Sequence, residues 1–368
     1  MEVLHSMTLT TRQAILWFAM HQLGSAFLVL PSTLVYIAKQ DAWISVPIAI
    51  AVYLLIVLLY MPLANRLNGI AFHEHVTSIL GKWLGSMSII VFIAAFPFFI
   101  FTLVLRDLGD FITGVMMPET PPEAVYLLML FAVFYVVHKG ITSIGRTAEI
   151  LFFLVLFLFV VLTVSLFPSV ELEQILPVYE NGFKPIMLAS LSLIAFPYYE
   201  GVLFLFLSAH MQDVRKWKKA VVWSGLLSGG MFFVTLFMVI VVLGHEVVAD
   251  LVYPSYFVVR TISIGIFYER FEVMVAVLWY ITIFFRMSLL LYVSAYALAG
   301  VLRLKDYRSL LIPLVTLAFF MAPIGWPNRA AAMNSLKVWP IYGAIFGVLF
   351  PLAIWLAGSF RRNSYGKQ

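Results

Sequence analysis

Long apolar runs separated by short polar connections make up nearly all of this chain. Stretches of roughly 20 apolar residues, the length a bilayer's hydrocarbon core demands, predict ten helical spans: Gln13 to Ala38, Ala42 to Asn65, Leu84 to Phe111, Pro122 to His138, Ala148 to Phe167, Pro185 to His210, Lys219 to Gly244, Phe271 to Leu302, Ser309 to Met321 and Trp339 to Phe360. The ninth is short, and the eighth is long enough to tilt or extend past the bilayer. Two spans are interrupted at their middles, by Leu23-Gly24-Ser25 through Pro31-Ser32 and by Phe196-Pro197-Tyr198-Tyr199-Glu200-Gly201. A membrane helix satisfies its backbone internally, so a break at bilayer depth is tolerable only where freed N–H and C=O groups face protein, water or a bound molecule. The paired breaks therefore predict a ligand site inside the membrane.

Ten spans divide into five and five, and an odd number per half forces the second half to insert inverted. Span 1 then corresponds to span 6, and these are the two broken ones. The longest loops, Arg66 to Trp83 and His245 to Arg270, also fall at matching positions on opposite sides. The symmetry lies in hydropathy and breaks, with no obvious residue-level repeat. The expectation is an all-α integral membrane protein: one transmembrane domain over residues 1–368, with inverted repeats at about 12–168 and 184–360. Ten transmembrane helices in a 5+5 inverted repeat, with helices 1 and 6 discontinuous, are the pattern of the amino acid transporter (LeuT-like) fold.

Composition agrees: 63% of the 368 residues are hydrophobic, 11% are charged, and the mean hydropathy is +1.02, which excludes a soluble domain of this size. The lack of cysteine excludes a disulfide framework, a thiolate metal site and a cysteine nucleophile. Residues 1–12 are short and polar and lead into a full span, so the N-terminus reads as a first span and not a cleavable signal. Of the 23 Lys and Arg, fifteen lie on the side of the N-terminus, six on the other, and Arg106 and Arg286 within spans. The positive-inside rule thus places both termini in the cytoplasm. The net charge of +5 follows from that bias, since no folded basic domain collects it for nucleic acid.

Candidate chemistry gathers at the breaks. Gly24, Ser25 and Ala26 let backbone approach closely, and the half-helix N-terminus after them suits a carboxylate or another acceptor; the plainer reading is small residues at a helix interface. Phe196-Pro197 removes a donor and disfavours helix, leaving Tyr198, Tyr199 and Glu200 at the second break. Glu200 is an ionisable group about halfway across the bilayer, either functional or a tie between helices. Arg286, midway along span 8, reads as the other mid-depth charge. It must face an acid, carbonyls, water or a ligand anion, with Glu200 the natural partner. In the amino acid transporter fold span 8 lies beside spans 1 and 6, where Arg286 would also provide a fixed positive charge in place of a sodium ion. Arg106 and Asp110, one turn apart in span 3, read as an outer gate or a stabilising ion pair. His73-Glu74-His75 lacks metal-ligand spacing and reads as a solvated inner-loop cluster. Lys216 to Lys219 and Arg361-Arg362 read as topogenic charges, and Trp217, Trp339 and Tyr342 as interfacial anchors. No nucleophile arrangement, metal set or cofactor motif is found, so an enzyme is not expected and no cofactor is implied.

Several short motifs occur in order along the chain. They are Leu23-Gly24-Ser25 with Leu30-Pro31-Ser32, Lys39-Gln40-Asp41-Ala42-Trp43-Ile44, Gly81-Lys82-Trp83-Leu84-Gly85, Ser208-Ala209-His210-Met211, Glu269-Arg270-Phe271-Glu272 and Trp326-Pro327. Together they resemble the spore germination permease family, the integral membrane B subunits of nutrient germinant receptors in endospore-forming bacteria. The resemblance implies an amino acid transporter-type (APC superfamily) fold, location in the spore inner membrane as a multi-pass protein of the bacterial cell membrane, and work beside an A subunit and a lipoprotein C subunit. It also implies binding of a small nutrient that triggers germination. Gly24, Ser25 and Ala26 match the family's small-residue break, Glu200 a recurring acidic position, and Arg106 with Asp110 a recurring pair; Arg286 matches no family motif.

The expected function is thus nutrient sensing. A ligand, in the first instance an amino acid, would sit between the breaks of spans 1 and 6, lined by spans 3 and 8. Its carboxylate would meet N–H groups around Gly24 to Ala26 and its ammonium the carbonyls of Phe196 to Tyr199. A sugar or nucleoside would instead stack on Phe27, Tyr198, Tyr199 and Phe285. The rival reading is a proton-coupled amino acid secondary transporter in which Glu200 carries the proton.

Overall fold

Thr10 opens the first helix with a capping box: its hydroxyl accepts from the Gln13 N–H while the Gln13 side chain accepts from the Thr10 N–H. The computed structural model describes residues 8–24, 26–67, 69–261, 271–326, 331 and 337–365, with side chains at 214, 261 and 361–365 excepted. Helix α1 (Thr11–Leu23) ends at Gly24 after 13 residues, and the chain resumes as α2 (Ala26–Ala38). At about 1.5 Å per residue neither half crosses a bilayer core alone. The predicted break in span 1 is therefore present at Gly24, but it does not extend to Pro31-Ser32, which lie within α2. Pro31 inside α2 cannot donate to the carbonyl four residues back, that of Phe27; the Ser255 hydroxyl donates to it instead, at 2.7 Å.

From α2 a 3₁₀ turn, Lys39–Ile44, leads into α3 (Ser45–Leu67). There follow α4 (Phe72–Leu80), α5 (Lys82–Ala95), α6 (Pro97–Phe111), α7 (Pro122–Lys139) and α8 (Ile141–Leu166). The second half opens on α9 (Phe183–Ala195), which stops at Phe196-Pro197, a cis peptide. The chain then continues as a 3₁₀ segment, Tyr198–Leu205, where the sequence pattern led us to expect a second α-helical half. Next come α10 (Trp217–Leu243), α11 (His245–Asp250), α12 (Pro254–Phe257), α13 (Phe271–Leu302), α14 (Leu311–Met321), α15 (Trp339–Ala344) and α16 (Phe350–Tyr365). Among the described residues nine helical stretches are long and apolar enough to cross a membrane. That count differs from the ten expected spans because α1 is too short to qualify and α2 runs through its turn into α3 as a single stretch, Ala26–Leu67.

Burial is inverted relative to a water-soluble protein. Trp83 (87% exposed), Phe131 (71%) and Phe157 (61%) face outward, whereas Glu200 and Arg286 are fully buried. Small residues set helix spacing, as expected where lipid tails give helices no hydrophobic reason to associate. On α10, Gly225 and Gly229 form a G-x-x-x-G face against α3. A Cβ at 229 would lie 2.5 Å from Ile50 Cδ1, and one at 225 would lie 2.6 Å from Tyr53 Cδ1. Gly225→Val should therefore cost about 1–3 kcal/mol by overpacking, read as a lower Tm in detergent; Leu226→Val, on the outward side, should not show it.

Three sequence expectations change here. Trp217 is not an interfacial anchor but buried, its indole N–H donating to the Phe204 carbonyl at 2.8 Å. Trp339 packs edge-on against Phe196, and the Tyr342 hydroxyl donates to the Ala95 carbonyl, so both are tied into the bundle. Within His73-Glu74-His75 only Glu74 is exposed; His73 is buried at 4% exposure on α4, in the space left by the missing side chain of Gly300, edge-on to Tyr296. The solvated reading fails because a glycine distant in sequence makes room for the ring.

Burial pushes the His73 imidazole down from 6.5 to about 4. The folded state then binds a proton less readily than the unfolded one. The neutral ring's contribution is full above about pH 6.5 and is lost as pH falls toward 4, by up to about 3 kcal/mol. Melting in detergent at pH 7.5, 6 and 5 should show a falling Tm, with a shallower fall for His73→Phe.

Candidate functional site

Arg286 reaches from the middle of α13 into the gap where both broken segments end. One guanidinium nitrogen donates to Glu200 Oε1 at 2.5 Å, and another donates to the His21 carbonyl at 3.4 Å, at the end of α1. Its face lies over the Phe196 ring, 4.4 Å from the centroid, a favourable placement for a cation on an aromatic quadrupole. The stem crosses Gly24: a Cβ there would sit 2.7 Å from Arg286 Cδ. Close approach explains this glycine. One cation thus touches both breaks, Gly24 and His21 on one side, Phe196 and Glu200 on the other. The buried pair between Glu200 and Arg286, expected from two charges in apolar runs, is present.

A third titratable group joins them, where the sequence reading recognised only two. His21 is fully buried, with Nε2 3.3 Å from Glu200 Oε2. The contact is close but not aligned as a hydrogen bond. Both His21 ring nitrogens, Glu200 Oε2 and Arg286 Nε keep unused hydrogen-bonding capacity among the described residues. Such leftover capacity in a buried centre is costly unless a further polar group uses it. The signal for His21 was available: an ionisable residue three positions before Gly24. Beside it lies a second polar layer. The Gln22 amide donates to the Tyr53 hydroxyl at 3.0 Å and accepts from Ser228 at 2.7 Å, and Tyr53 donates to the Val221 carbonyl at 3.1 Å. Tyr198 stacks on Tyr53 with centroids 4.6 Å apart, so it faces α3 and α10.

The remaining expected residues divide. Ala26 and Phe27 are buried at the start of α2, and Ser25 lies outside the described residues. Phe285 is buried next to Arg286, and its carbonyl accepts from the Trp17 indole at 3.1 Å, tying α13 to α1. Pro197 is buried within the break. Tyr199 turns the other way, packing where Gly343 and Gly347 lack side chains. The expected set is thus not one lining: Glu200, Arg286, Phe196 and Gly24 converge, Tyr198 belongs to the Gln22 layer, and Tyr199 faces the last span.

A family model described as spore germination protein matches residues 8–327, across both breaks and α13. The chain belongs to the spore germination permease family. It is 26% identical to spore germination protein KB of Bacillus subtilis (strain 168) over 96% of this chain and 95% of that one. It is 25% identical to spore germination protein A2 of the same strain, over 94% and 93%, and 24% identical to its spore germination protein YndE, over 83% and 85%. With its apolar helices, this makes the chain a multi-pass membrane protein of the spore germination permease family.

Within this family member, the motif residues quoted from the sequence carry structural contacts. Gln40 donates to the Pro177 carbonyl at 3.0 Å and to Glu180 at 2.9 Å, and Asp41 accepts from the Tyr179 N–H at 2.9 Å. They pin the connection between α8 and α9 to the end of α2. Arg106 and Asp110 form an ion pair at 2.8 Å. Arg106 also donates to the Pro323 carbonyl at 2.9 Å, and Asp110 accepts from the Trp326 indole at 3.0 Å. The pair clamps α6 to the segment after α14.

Proposed function

We propose that this chain is the nutrient-sensing integral membrane subunit of a spore germination receptor, a receptor and not an enzyme. It binds a small nutrient, in the first instance an amino acid, between the two helix breaks. The observation that carries this reading is that one guanidinium is held by both breaks at once, so any ligand competing for its partners shifts α1, the 3₁₀ segment and α13 together. A ligand carboxylate is suited to Arg286, and a ligand ammonium to Glu200 Oε2 and His21. Binding signals only if it favours one arrangement over the other. The proposal includes ten spans in the LeuT-like 5+5 arrangement with repeats near 12–168 and 184–360, both termini in the cytoplasm, residence in the spore inner membrane, and assembly with an A subunit and a lipoprotein C subunit.

Spores carrying Glu200→Gln in place of the native chain provide the test. Because the substitution also leaves Arg286 buried without its anion, release is compared at equal amounts of chain in the spore membrane, where the amino acid-triggered release of dipicolinic acid should slow by about tenfold or more, the scale of a lost charge-assisted contact; an unchanged rate at matched level defeats the reading. The contact between His21 and Glu200 favours one rival, a proton-coupled amino acid transporter. Uptake of labelled amino acids into proteoliposomes that requires a proton gradient and vanishes in Glu200→Gln would select it.

A further inference from the structure

A cavity lies away from the charged centre. It has a volume of about 360 Å³, within the roughly 300–1,000 Å³ range of small-molecule sites. Its walls include Thr33 and Tyr36 from α2, Ser192 from α9, Asp250 and Leu251 at the end of α11, and Lys337 just before α15. Gly24, Phe196, Glu200 and Arg286 do not line it.

Three features mark it as built for a guest with both polar and apolar parts. The Thr33 hydroxyl oxygen is buried and has no hydrogen-bond partner among the described residues. The cavity carries one carboxylate and one ammonium, Asp250 and Lys337, and no ion pair joins them to each other. The rest of the wall, with Tyr36 and Leu251, is largely apolar. An anion would be attracted by Lys337 and repelled by Asp250, and a cation the reverse. Only a molecule with both charges satisfies both walls.

We infer that this cavity is a binding site for a zwitterionic α-amino acid with an apolar side chain, distinct from the site between the breaks. The ligand carboxylate lies toward Lys337, its ammonium toward Asp250 with Thr33 as a further partner, and its side chain on the Tyr36 and Leu251 surface. Position gives the site a role. Ser32, also in its wall, is six residues past Ala26 on α2, about 9 Å along the axis, and Ser192 is four residues before Phe196, about 6 Å. The cavity thus lies between the two half-helices that run into the breaks, and a ligand there bridges the two halves of the chain before reaching Arg286. This inference does not depend on a ligand at the breaks.

The test uses the full chain in lipid nanodiscs and calorimetry with L-leucine, L-valine and L-phenylalanine, compared with leucinamide, which lacks the carboxylate, and 4-methylpentanoate, which lacks the ammonium. At least one amino acid should bind below about 10 mM, with the matching one-charge analogue weaker by about tenfold or more. Lys337→Gln should weaken the amino acid by about tenfold and leave leucinamide unchanged, and Asp250→Asn should weaken the amino acid similarly and leave 4-methylpentanoate unchanged. Both residues are exposed, so the variants should fold. Absence of binding by all three amino acids, or equal binding of the analogues, overturns the inference. So does binding that survives both cavity substitutions but disappears in Glu200→Gln, an outcome that places the ligand at the breaks and keeps the proposed function standing.

Discussion

Arg286→Met is expected to remove most of the protein's stability, by about 3–5 kcal/mol, because it leaves the Glu200 carboxylate buried without its cation. Both side chains are fully inaccessible, so water cannot take over the lost contact. Three other interactions go with it: the donor to the His21 carbonyl, the cation over Phe196 and the stem across Gly24. Detergent-extracted protein should run as aggregate on size exclusion or melt far below the parent. Glu200→Gln with Arg286→Met should recover much of that loss, because the double variant buries no unpaired charge and methionine fills the arginine stem's space. The coupling between the two substitutions is thus expected to be large and of opposite sign to their separate costs. Additive damage would show that Glu200 and Arg286 do not act as a unit.

What could be read from the sequence follows the range of each physical cause. The breaks were legible because Gly24 and Pro197 alter the backbone where they stand, whereas Pro31, which carries the same signal in the sequence, lies inside the continuous α2. Glu200 and Arg286 were legible because a charge in an apolar run demands a partner, and each was the other's best candidate. The same logic applies more weakly to His21, because an imidazole is neutral in one of its forms and demands less. The 3₁₀ course of Tyr198–Leu205 was not legible. It depends on distant groups: Gly343 and Gly347 make room for Tyr199, and Trp217 donates to the Phe204 carbonyl. The same holds for His73, whose burial is decided by Gly300. Local chemistry thus located the candidate site, while its second polar layer of Gln22, Tyr53 and Ser228 required three helices to meet.

Gly24→Val should abolish the nutrient response and also lower the amount of folded chain. From the sequence alone, a side chain at position 24 is expected only to fill a backbone-lined cavity, leaving protein level intact. The structure puts the Arg286 stem in that space: an added Cβ would lie 2.7 Å from its Cδ, 3.1 Å from its Cβ and 3.1 Å from the His21 carbonyl oxygen. Cδ is not a free end that swings aside. The guanidinium beyond it is held by Glu200, the His21 carbonyl and the Phe196 face, so displacement of the stem pulls on all three. Gly24→Ala introduces the clash in its mildest form and should cost about 1–3 kcal/mol, the ordinary range for overpacking, with valine worse. Germination kinetics and Tm should decline together along the series Gly, Ala, Val. Combining Gly24→Ala with Arg286→Lys separates the cause, because lysine keeps the charge but replaces the rigid planar fork with a flexible stem. The double variant should then melt higher than the sum of the single losses predicts. Strict additivity, or a Gly24→Val protein with normal level and response, would show that the first break and Arg286 do not share one site.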